Sequence, residues 1–415
     1  MFTSFRALSR NVRRSVRPVR TRPAVKPTLE PLEGRLAPAA GVSFSPDQST
    51  VTIQYNSQTW TIPRPVVSPW NYQATGTTYW VAPNGSDGNN GSAADPFATI
   101  THAVAEAQPG DVVYVEAGTY VENLWITNSG LAGKPIIISA APGALGQVTI
   151  TPSAQYVTAN PDGAVITLEE ANYVWINGFV IEGPLGQSYA PTSEHYGANG
   201  ITRQDGAGLG DEATNNVVYN NVHCGLKEMD QNIGAGILIQ DNVIFDNGTD
   251  NLLDHGIYMP ANDVTINSNV IFNNAGCGIQ AYTDPTGQVI THNVIFGNGF
   301  AGILLAGGDS QVFDNTCSGN EYGIMYFRGG CTGNVVEHNV FAFNGTDCGW
   351  DDGGGQDPAP SDNTDNYNCY HPGLPNPNIN PGPNEVLADP LFVNATDGDF
   401  QLAQGSPATG DGAYA

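Results

Sequence analysis

The chain has 415 residues, of which 40% are hydrophobic, so it contains enough apolar side chains for a sizeable continuous core. No stretch approaches the roughly 18 consecutive apolar residues that a membrane-spanning helix needs, and we therefore predict no membrane insertion. The formal net charge at pH 7 is −26. A strongly acidic surface repels phosphate groups, which excludes nucleic acid as a partner.

The basic residues are concentrated at the N-terminus. Residues 1–36 contain nine of the fourteen Lys and Arg, against Glu30 and Glu33, so the rest of the chain has five basic and 38 acidic residues, a net charge of −33. Residues 1–40 are rich in Arg and show neither helical nor strand periodicity, and we predict that they form a disordered targeting or processing segment. The acidic body would also repel an anionic polymer unless divalent cations bridge the two.

The next part of the chain is predicted to hold short elements before the regular repeat begins. Residues 41–78 are interpreted as a short β segment and a linker, and a strand follows from Tyr79. Asp95 and Pro96 suit the N-cap and first positions of a helix over residues 97–108. The apolar residues of that helix share one face, so we expect it to cover one end of the core that follows.

Two phrases recur with a common period from the middle of the chain onward. An Asn-Val-apolar phrase, once Asn-Thr, begins at Asn221, Asn242, Asn269, Asn293, Asn315 and Asn339. A Gly-Ile phrase keeps step with it at Gly236, Gly256, Gly278, Gly302 and Gly323. Intervals of 21 to 27 residues between the Asn phrases suit one turn of a coil made of three short strands. A leucine-rich repeat has a similar period, but its Leu-x-x-Leu-x-Leu consensus is absent.

This period predicts an all-β solenoid. Each strand would pair in parallel with the same strand of the next turn, about 4.8 Å away, while aliphatic side chains fill the interior. We predict about nine coils within a solenoid over residues 79–380, with residues 381–415 packing on its end. We expect the recurring Asn to adopt the left-handed conformation at bends and to hydrogen-bond along one column formed by Asn221, Asn242, Asn269, Asn293 and Asn339.

Two segments resemble known protein families. The segment from Trp80 through Gly118-Thr119-Tyr120, with the Asn-Val-Ile turns that follow, is similar over about residues 79–345 to the pectate-lyase-like superfamily of secreted β-helix proteins. This resemblance implies a single-stranded right-handed parallel β-helix, a secreted or cell-surface location and a polysaccharide partner. Residues 29–36, LEPLEGRL, resemble the LEPLExR-type motif of large exported bacterial proteins, which implies export.

The superfamily includes hydrolases, lyases and non-catalytic proteins, so function must be argued from residues. A polygalacturonase-like hydrolase would show several motifs, of which the chain contains only the fragment Asp254-His255-Gly256 and a lone Asp351-Asp352 pair, and this disfavours hydrolysis. A lyase needs a base and a means of neutralising the substrate carboxylate, commonly calcium. We predict calcium-assisted β-elimination on an acidic polysaccharide. The alternative is a non-catalytic cell-surface or matrix β-helix that binds glycan or mediates adhesion.

Few cations are available for such chemistry. The five basic residues after residue 40 are Arg64, Lys134, Arg203, Lys227 and Arg328. Arg64 precedes the coil and Lys134 lies in a turn. We therefore predict Lys227 as the catalytic base, assisted by Arg203 from a long excursion over residues 183–214, with Arg328 as the next candidate.

Other candidate residues would bind the substrate or a metal ion. His255, Tyr258 and Tyr326 are predicted to contact substrate, although His255 also suits a hydrogen-bonded turn. Asp347, Asp351 and Asp352 belong to an acidic, Gly-rich region that either binds calcium or is merely solvated.

The cysteines predict the compartment. Six cysteines, an even number, indicate an oxidising compartment, and Cys348 with Cys369 is the disulfide pair that we would choose first. We expect a monomer.

Overall fold

The structure is a computed structural model of the full chain, and the description below is confined to the residues whose placement it defines. These are residues 41–55, 58–65, 72, 74–153, 164–184, 198–229, 236–328, 330–351, 360–372 and 382–414. The basic segment predicted over residues 1–40 lies outside this part of the chain.

Three parallel sheets form a solenoid. Sheet 1 contains β4 (Thr78–Val81), β5 (Val112–Val115), β8 (Ile136–Ala140), β11 (Val174–Asn177), β14 (Glu212–Thr214), β17 (Leu238–Gln240), β20 (Thr265–Asn267), β23 (Val289–Thr291), β26 (Gln311–Phe313), β29 (Val335–Glu337) and β32 (Thr364–Asn366). Sheet 2 contains β6 (Gly118–Val121), β9 (Val148–Thr151), β12 (Val180–Glu182), β15 (Val217–Tyr219), β18 (Val243–Phe245), β21 (Val270–Phe272), β24 (Val294–Phe296), β27 (Thr316–Ser318), β30 (Val340–Ala342) and β33 (Cys369–His371). Sheet 3 contains β7 (Leu124–Ile126), β10 (Ile166–Glu169), β13 (Ile201–Gln204), β16 (Leu226–Glu228), β19 (Ile257–Tyr258), β22 (Ile279–Ala281), β25 (Ala301–Leu305), β28 (Tyr322–Phe327) and β31 (Thr346–Asp351).

The chain visits the three sheets in a fixed order, and each strand pairs in parallel with its counterpart one turn later. The described residues form nine complete turns, from β5 to β31, which confirms the predicted coil and its number of turns. The interior is filled by fully buried aliphatic columns, as in the row Ile244, Ile271 and Ile295 of sheet 2. Burying such side chains is the main source of stability in a fold of this kind.

Two asparagine ladders run along the coil. The first, between sheets 1 and 2, consists of Asn216, Asn242, Asn269, Asn293, Asn315, Asn339 and Asn368. The second, between sheets 2 and 3, consists of Asn221, Asn247, Asn274, Asn298, Asn320 and Asn344. After the first member of each ladder, each Oδ1 accepts both the backbone N–H and the side-chain N–H of the preceding ladder member, at 2.9 Å each from Asn242 to Asn269.

The prediction of a single asparagine column was wrong in two respects. Asn221 belongs to the second ladder, and Asn315 separates Asn293 from Asn339. The left-handed residue is the one before each ladder asparagine, with a φ of 56° at Asp241 and 57° at Ser268. That preceding residue forms the bend. The bend directs the side-chain amide of the ladder asparagine into the coil, where it hydrogen-bonds to the asparagine of the following turn.

A glycine column lies beside the second ladder and explains the Gly-Ile phrase. Its members are Gly200, Gly225, Gly256, Gly278, Gly302 and Gly323, each of which approaches the carbonyl oxygen one turn later. Gly236 was wrongly assigned to this row, since it precedes β17 of sheet 1. The supposed excursion over residues 183–214 therefore contains β13 and β14 of the regular coil, and only residues 185–197 within it lie outside the described chain.

Replacing Gly256 with Ala is expected to destabilise the protein by about 1–3 kcal/mol, because this packed column leaves no room for a methyl group. An added Cβ would lie 2.7 Å from the carbonyl oxygen of Gly278 and 2.9 Å from Nδ2 of Asn274. Urea unfolding of Gly256→Ala measures the loss. Gly88→Ala is the matched control, since its Cβ would meet only Ser86 Oγ at 3.7 Å; equal stability of the two variants would contradict this account.

The capping helix is shorter than predicted. Helix α1 (Ile100–Glu106) is capped by Thr99, whose Oγ1 accepts the backbone N–H of His102 at 3.2 Å. Asp95 is therefore not the N-cap. The buried face of α1, including Ile100 and Val104, joins the core of the first turn, so the helix closes that end as expected.

Both ends of the described chain cover the outer face of sheet 2. Strands β1 (Gly41–Phe44), β2 (Thr50–Tyr55) and β3 (Gln58–Pro63) form an antiparallel sheet, and β34 (Phe392–Asn394) pairs with β35 (Asp399–Leu402) around a 3₁₀ turn (Ala395–Asp397). They pack on a stack of four rings from successive turns, Tyr219, Phe245, Phe272 and Phe296, whose centroids are 4.8 to 5.1 Å apart. Covering this stack removes a large apolar surface from water.

The cysteines are not paired. All six are buried free thiols, so the predicted disulfide between Cys348 and Cys369 was wrong. Cys348 lies on β31 of sheet 3 and Cys369 on β33 of sheet 2, where each occupies an apolar site. Burial raises the pKa of Cys224 and of Cys277 to about 12, which disfavours the reactive thiolate.

A pair of carboxyl groups closes the C-terminal end of the core. Asp365 occupies the inward column of sheet 1, and its Oδ1 accepts the hydrogen of the Tyr370 hydroxyl group at 2.7 Å. Glu385, from the segment that follows β33, lies beside Asp365. Burial and mutual repulsion raise the pKa of Glu385, and burial raises that of Asp365. Each carboxyl has one buried oxygen without a hydrogen-bond partner, and a proton shared between the two would satisfy both.

Stability is expected to fall as the pH rises from about 5 to about 8, because these carboxyls bind a proton more tightly in the folded than in the unfolded state. Burial also raises the pKa of both Asp211 and Glu212 to about 7, which places part of the loss near neutral pH. Urea unfolding at several pH values measures how steeply the free energy of unfolding falls with pH. Glu385→Gln removes one titrating group and should make this dependence shallower. An unchanged dependence in that variant would contradict the raised pKa of Glu385.

Candidate functional site on the outer face of sheet 3

Four of the predicted catalytic and substrate-binding residues lie on strands of sheet 3, namely Arg203, Lys227, Tyr258 and Tyr326, so the outer face of this sheet is described first. Its central outward column consists of Trp125, Thr167, Thr202, Lys227, Tyr258, Gln280, Leu304, Met325 and Gly349. Lys227 is the only cationic member of this column. Side chains alternate along a strand, so Lys227 points outward because its neighbour Leu226 is buried in the core.

Lys227 is largely buried on this face. The residue is 8% exposed, and its Nζ lies 5.7 Å from the centroid of the Tyr258 ring on the next turn. The half-buried Tyr258 therefore fixes the lysine through a cation–π contact. The structure thus brings these two predicted residues together.

His255 supports this pair from behind. It is fully buried, stacks on Tyr258 with centroids 5.9 Å apart, and its Nδ1 accepts the backbone N–H of Cys277 at 3.0 Å. Burial lowers the pKa of His255 to about 3, so the ring is neutral. Direct substrate contact by His255 was a wrong prediction, and the hydrogen-bonded turn is what the structure shows.

A buried His–Asp pair lies on the same side of the coil and was not predicted. His223 Nδ1 lies 2.8 Å from Asp254 Oδ1, and Asp254 Oδ2 accepts the backbone N–H groups of Thr249 and Asp250. His223 lies two residues before Gly225, and Asp254 lies two residues before Gly256. Aligning these two glycines in the sequence would therefore have predicted that His223 and Asp254 are neighbours.

Arg203 cannot assist Lys227, which corrects the prediction. It follows the outward Thr202 on β13, so it points into the coil, where its side chain is 0% exposed. There its Nε lies 3.5 Å from Asp211 Oδ2. A charge in the apolar interior is tolerated because carboxylates accompany it, with Glu228 as its register neighbour on β16.

Tyr326 and Arg328 have different positions. Tyr326 is fully buried in the core, two residues after the inward Ile324, so its predicted contact with substrate was wrong. Arg328 faces outward between two rings, 5.3 Å from Tyr282 and 5.2 Å from Phe327. It lies four turns from Lys227, about 19 Å at 4.8 Å per turn, so one reaction centre cannot include both.

The predicted calcium ligands do not converge. Asp347 and Asp351 lie at opposite ends of β31, about 13 Å apart at 3.3 Å per residue, so they cannot hold one ion together. Asp347 Oδ1 accepts an N–H of Asn344 at 3.1 Å and ends the second ladder. Asp352 lies outside the described residues. Within the described ranges, no three His, Cys, Asp or Glu side chains are placed to hold a metal ion.

Comparison with known proteins agrees with this architecture. Residues 249–355 match the family model described as a right handed beta helix region, and residues 83–125 match a family described as a protein of unknown function. Pectate lyase PEL9 of Emericella nidulans is 30% identical over 151 residues, which are 34% of this chain and 37% of that protein. Pectate lyase L of Dickeya chrysanthemi is 36% identical over 76 residues, 16% of this chain and 18% of that protein.

A solved structure decides the fold. The crystal structure of pectate lyase Pel9A covers 80% of this chain and 90% of its own, with a TM-score of 0.59 at 17% identity. The chain has the pectate-lyase-like right-handed β-helix fold. The matches to the curated relatives nevertheless span less than two fifths of the length of those proteins. No helix in the described part of this β-helix is long and apolar enough to cross a membrane.

Proposed function

We propose that this β-helix binds an acidic polysaccharide on the outer face of sheet 3 and cleaves it by β-elimination, with Lys227 as the base. The observation that carries the proposal is the packing of Lys227 against Tyr258 on the outward column of that sheet. The likeness to pectate lyases over part of the chain supports the choice of reaction.

The first requirement of the reaction is a positioned base. The amine of Lys227 would take the proton from the carbon next to the uronate carboxyl group. The electron pair left behind forms a carbon–carbon double bond, the bond to the glycosidic oxygen breaks, and that oxygen takes up a proton from solvent. Tyr258 holds the amine in place, and the stacked, neutral His255 fixes the Tyr258 ring.

The substrate carboxylate is the main electrostatic obstacle, because the body of the protein is strongly acidic. A bound divalent cation would neutralise that carboxylate and acidify the neighbouring C–H. We also propose a weak divalent-ion site in the acidic region between Cys348 and Cys369, of which residues 352–359 lie outside the described chain. This region begins on β31, five turns from Lys227 or about 24 Å at 4.8 Å per turn, so an ion there would stabilise the fold and would not contact the reacting sugar. Melting curves in millimolar calcium should then shift upward relative to chelator. Superimposable curves would count against the ion.

The runner-up function is glycan binding without catalysis. Arg328 favours this function, because its guanidinium is held between Tyr282 and Phe327 and can bind a carboxylate or a sugar ring. Such binding does not require a catalytic base. In either case we propose a location outside the cell, consistent with the LEPLExR-type motif and the polymeric substrate.

One assay separates these possibilities. The full chain would be incubated with polygalacturonate, rhamnogalacturonan or alginate, with and without calcium, while absorbance of an unsaturated uronate product is followed. Rising absorbance on one polymer supports elimination. Retention of a polymer in affinity electrophoresis without product would favour the non-catalytic alternative, and no interaction with any acidic polymer would refute both.

A further inference from the structure

An exposed tryptophan lies in the same outward column as Lys227. Trp125 of β7 is 50% exposed, which makes it the one tryptophan of the described ranges that is largely open to solvent. Its column continues through Thr167 and Thr202 to Lys227. Three turns separate the two side chains along the coil, which corresponds to about 14 Å.

A hydrogen bond to the next turn orients the Trp125 ring. Thr167 is its register partner on β10, but the indole N–H donates to Glu169 Oε2, two residues further along that strand, at 2.6 Å. The ring must therefore extend across the outer face of β10, which is consistent with the burial of Thr167. One ring face lies on the protein and the other faces solvent, and the hydrogen bond fixes this orientation in advance.

Polar groups border the exposed ring face. Glu169 is half-buried beside the indole, and its register partner Gln204 on β13 is also partly exposed. Carboxylate and amide groups bind hydroxyl groups, while an aromatic face packs against the C–H face of a sugar ring. The carboxylate of Glu169 would repel a uronate at this position. The local chemistry therefore suits an uncharged sugar.

We propose that Trp125, Glu169 and Gln204 form a distal subsite for a neutral pyranose ring of the polysaccharide that binds at Lys227. This inference rests on the proposed function and refines its substrate class: a polymer that carries neutral sugars besides its uronates, long enough to reach both positions. A polymer made of uronates alone would leave the subsite empty or be repelled there.

The test measures affinity and fluorescence for rhamnogalacturonan, which alternates acidic and neutral sugars, and for polygalacturonate, which is acidic throughout. Trp125→Ala should bind rhamnogalacturonan roughly 3- to 10-fold more weakly, the range expected for one lost aromatic contact, with unchanged Tm. The same variant should bind polygalacturonate as the wild type does. Glu169→Gln keeps the acceptor for the indole and should bind polygalacturonate more tightly, since the repulsion is removed.

Tyr367→Ala is the matched control, because Tyr367 is a 43% exposed aromatic residue between β32 and β33, away from sheet 3. Its affinities should equal those of the wild type. If the wild type binds, and Trp125→Ala either binds both polymers as well as the wild type does or loses the same affinity for both, the subsite is refuted. The proposed function is not affected by that result. Failure of the wild type to bind rhamnogalacturonan overturns the subsite, and failure to bind rhamnogalacturonan, polygalacturonate and alginate alike overturns the proposed function as well.

Discussion

Lys227→Met should lower the rate of polysaccharide cleavage by about 10²- to 10⁴-fold, the usual contribution of a positioned general base. Methionine keeps an unbranched apolar stem against Tyr258 and removes only the amine, so the melting temperature should change little. Lys227→Ala should give the same kinetic loss with a somewhat larger loss of stability. Initial rates of product formation and thermal unfolding, measured on one preparation, separate the two effects.

Lys134→Met is the matched control, because Lys134 is exposed in the turn before β8 and lies outside the proposed site. It should retain the wild-type rate. If Lys227→Met keeps its activity while the wild type is active, Lys227 is not the base, and Arg328→Gln becomes the next variant to measure.

Asn269→Ala should destabilise the fold by about 3 kcal/mol or more, because it leaves several buried groups without partners. Asn269 Oδ1 accepts two N–H groups of Asn242, and its Nδ2 donates to the carbonyl oxygen of Ile239 and to Asn293 Oδ1. These positions are fully buried, so bulk water does not replace the lost hydrogen bonds. Urea unfolding monitored by circular dichroism measures the loss.

Asn267→Ala provides the comparison, since Asn267 lies on the same turn but on the partly exposed outer face of sheet 1. Its amide donates to Gln240 Oε1 at 3.0 Å and accepts from Ser268 Oγ at 3.1 Å, and water can replace both bonds because Asn267 is partly exposed. We expect a loss below about 1 kcal/mol. Similar losses for the two variants would mean that the ladder contributes little to stability.

The sequence determines the coil because its period is locally encoded. Alternation along β16 places Leu226 inward and Lys227 outward, and the same rule applied to Ile324 would have placed Tyr326 in the core. Arg203 follows this rule too. Its charge is tolerated in the interior because Asp211, directly before β14, lies close to it, and strand alternation does not predict this contact between two different sheets.

Contacts across turns explain the remaining errors. Asn221 and Asn242 carry similar phrases but follow different sheets, and only the register between turns assigns each to its ladder. The pair His223–Asp254 joins two turns in the same way. Composition favoured calcium at Asp347 and Asp351, but the extended geometry of a strand keeps their carboxylates apart.

The most direct test of the central claim is mass spectrometry of the products formed from the susceptible acidic polysaccharide in ¹⁸O-labelled water. Elimination breaks the chain without adding water, so we expect each new non-reducing end to carry an unsaturated sugar and no label from the cleavage step. Products that are heavier by one water molecule and contain ¹⁸O at the cleavage site would show hydrolysis and contradict the account of Lys227.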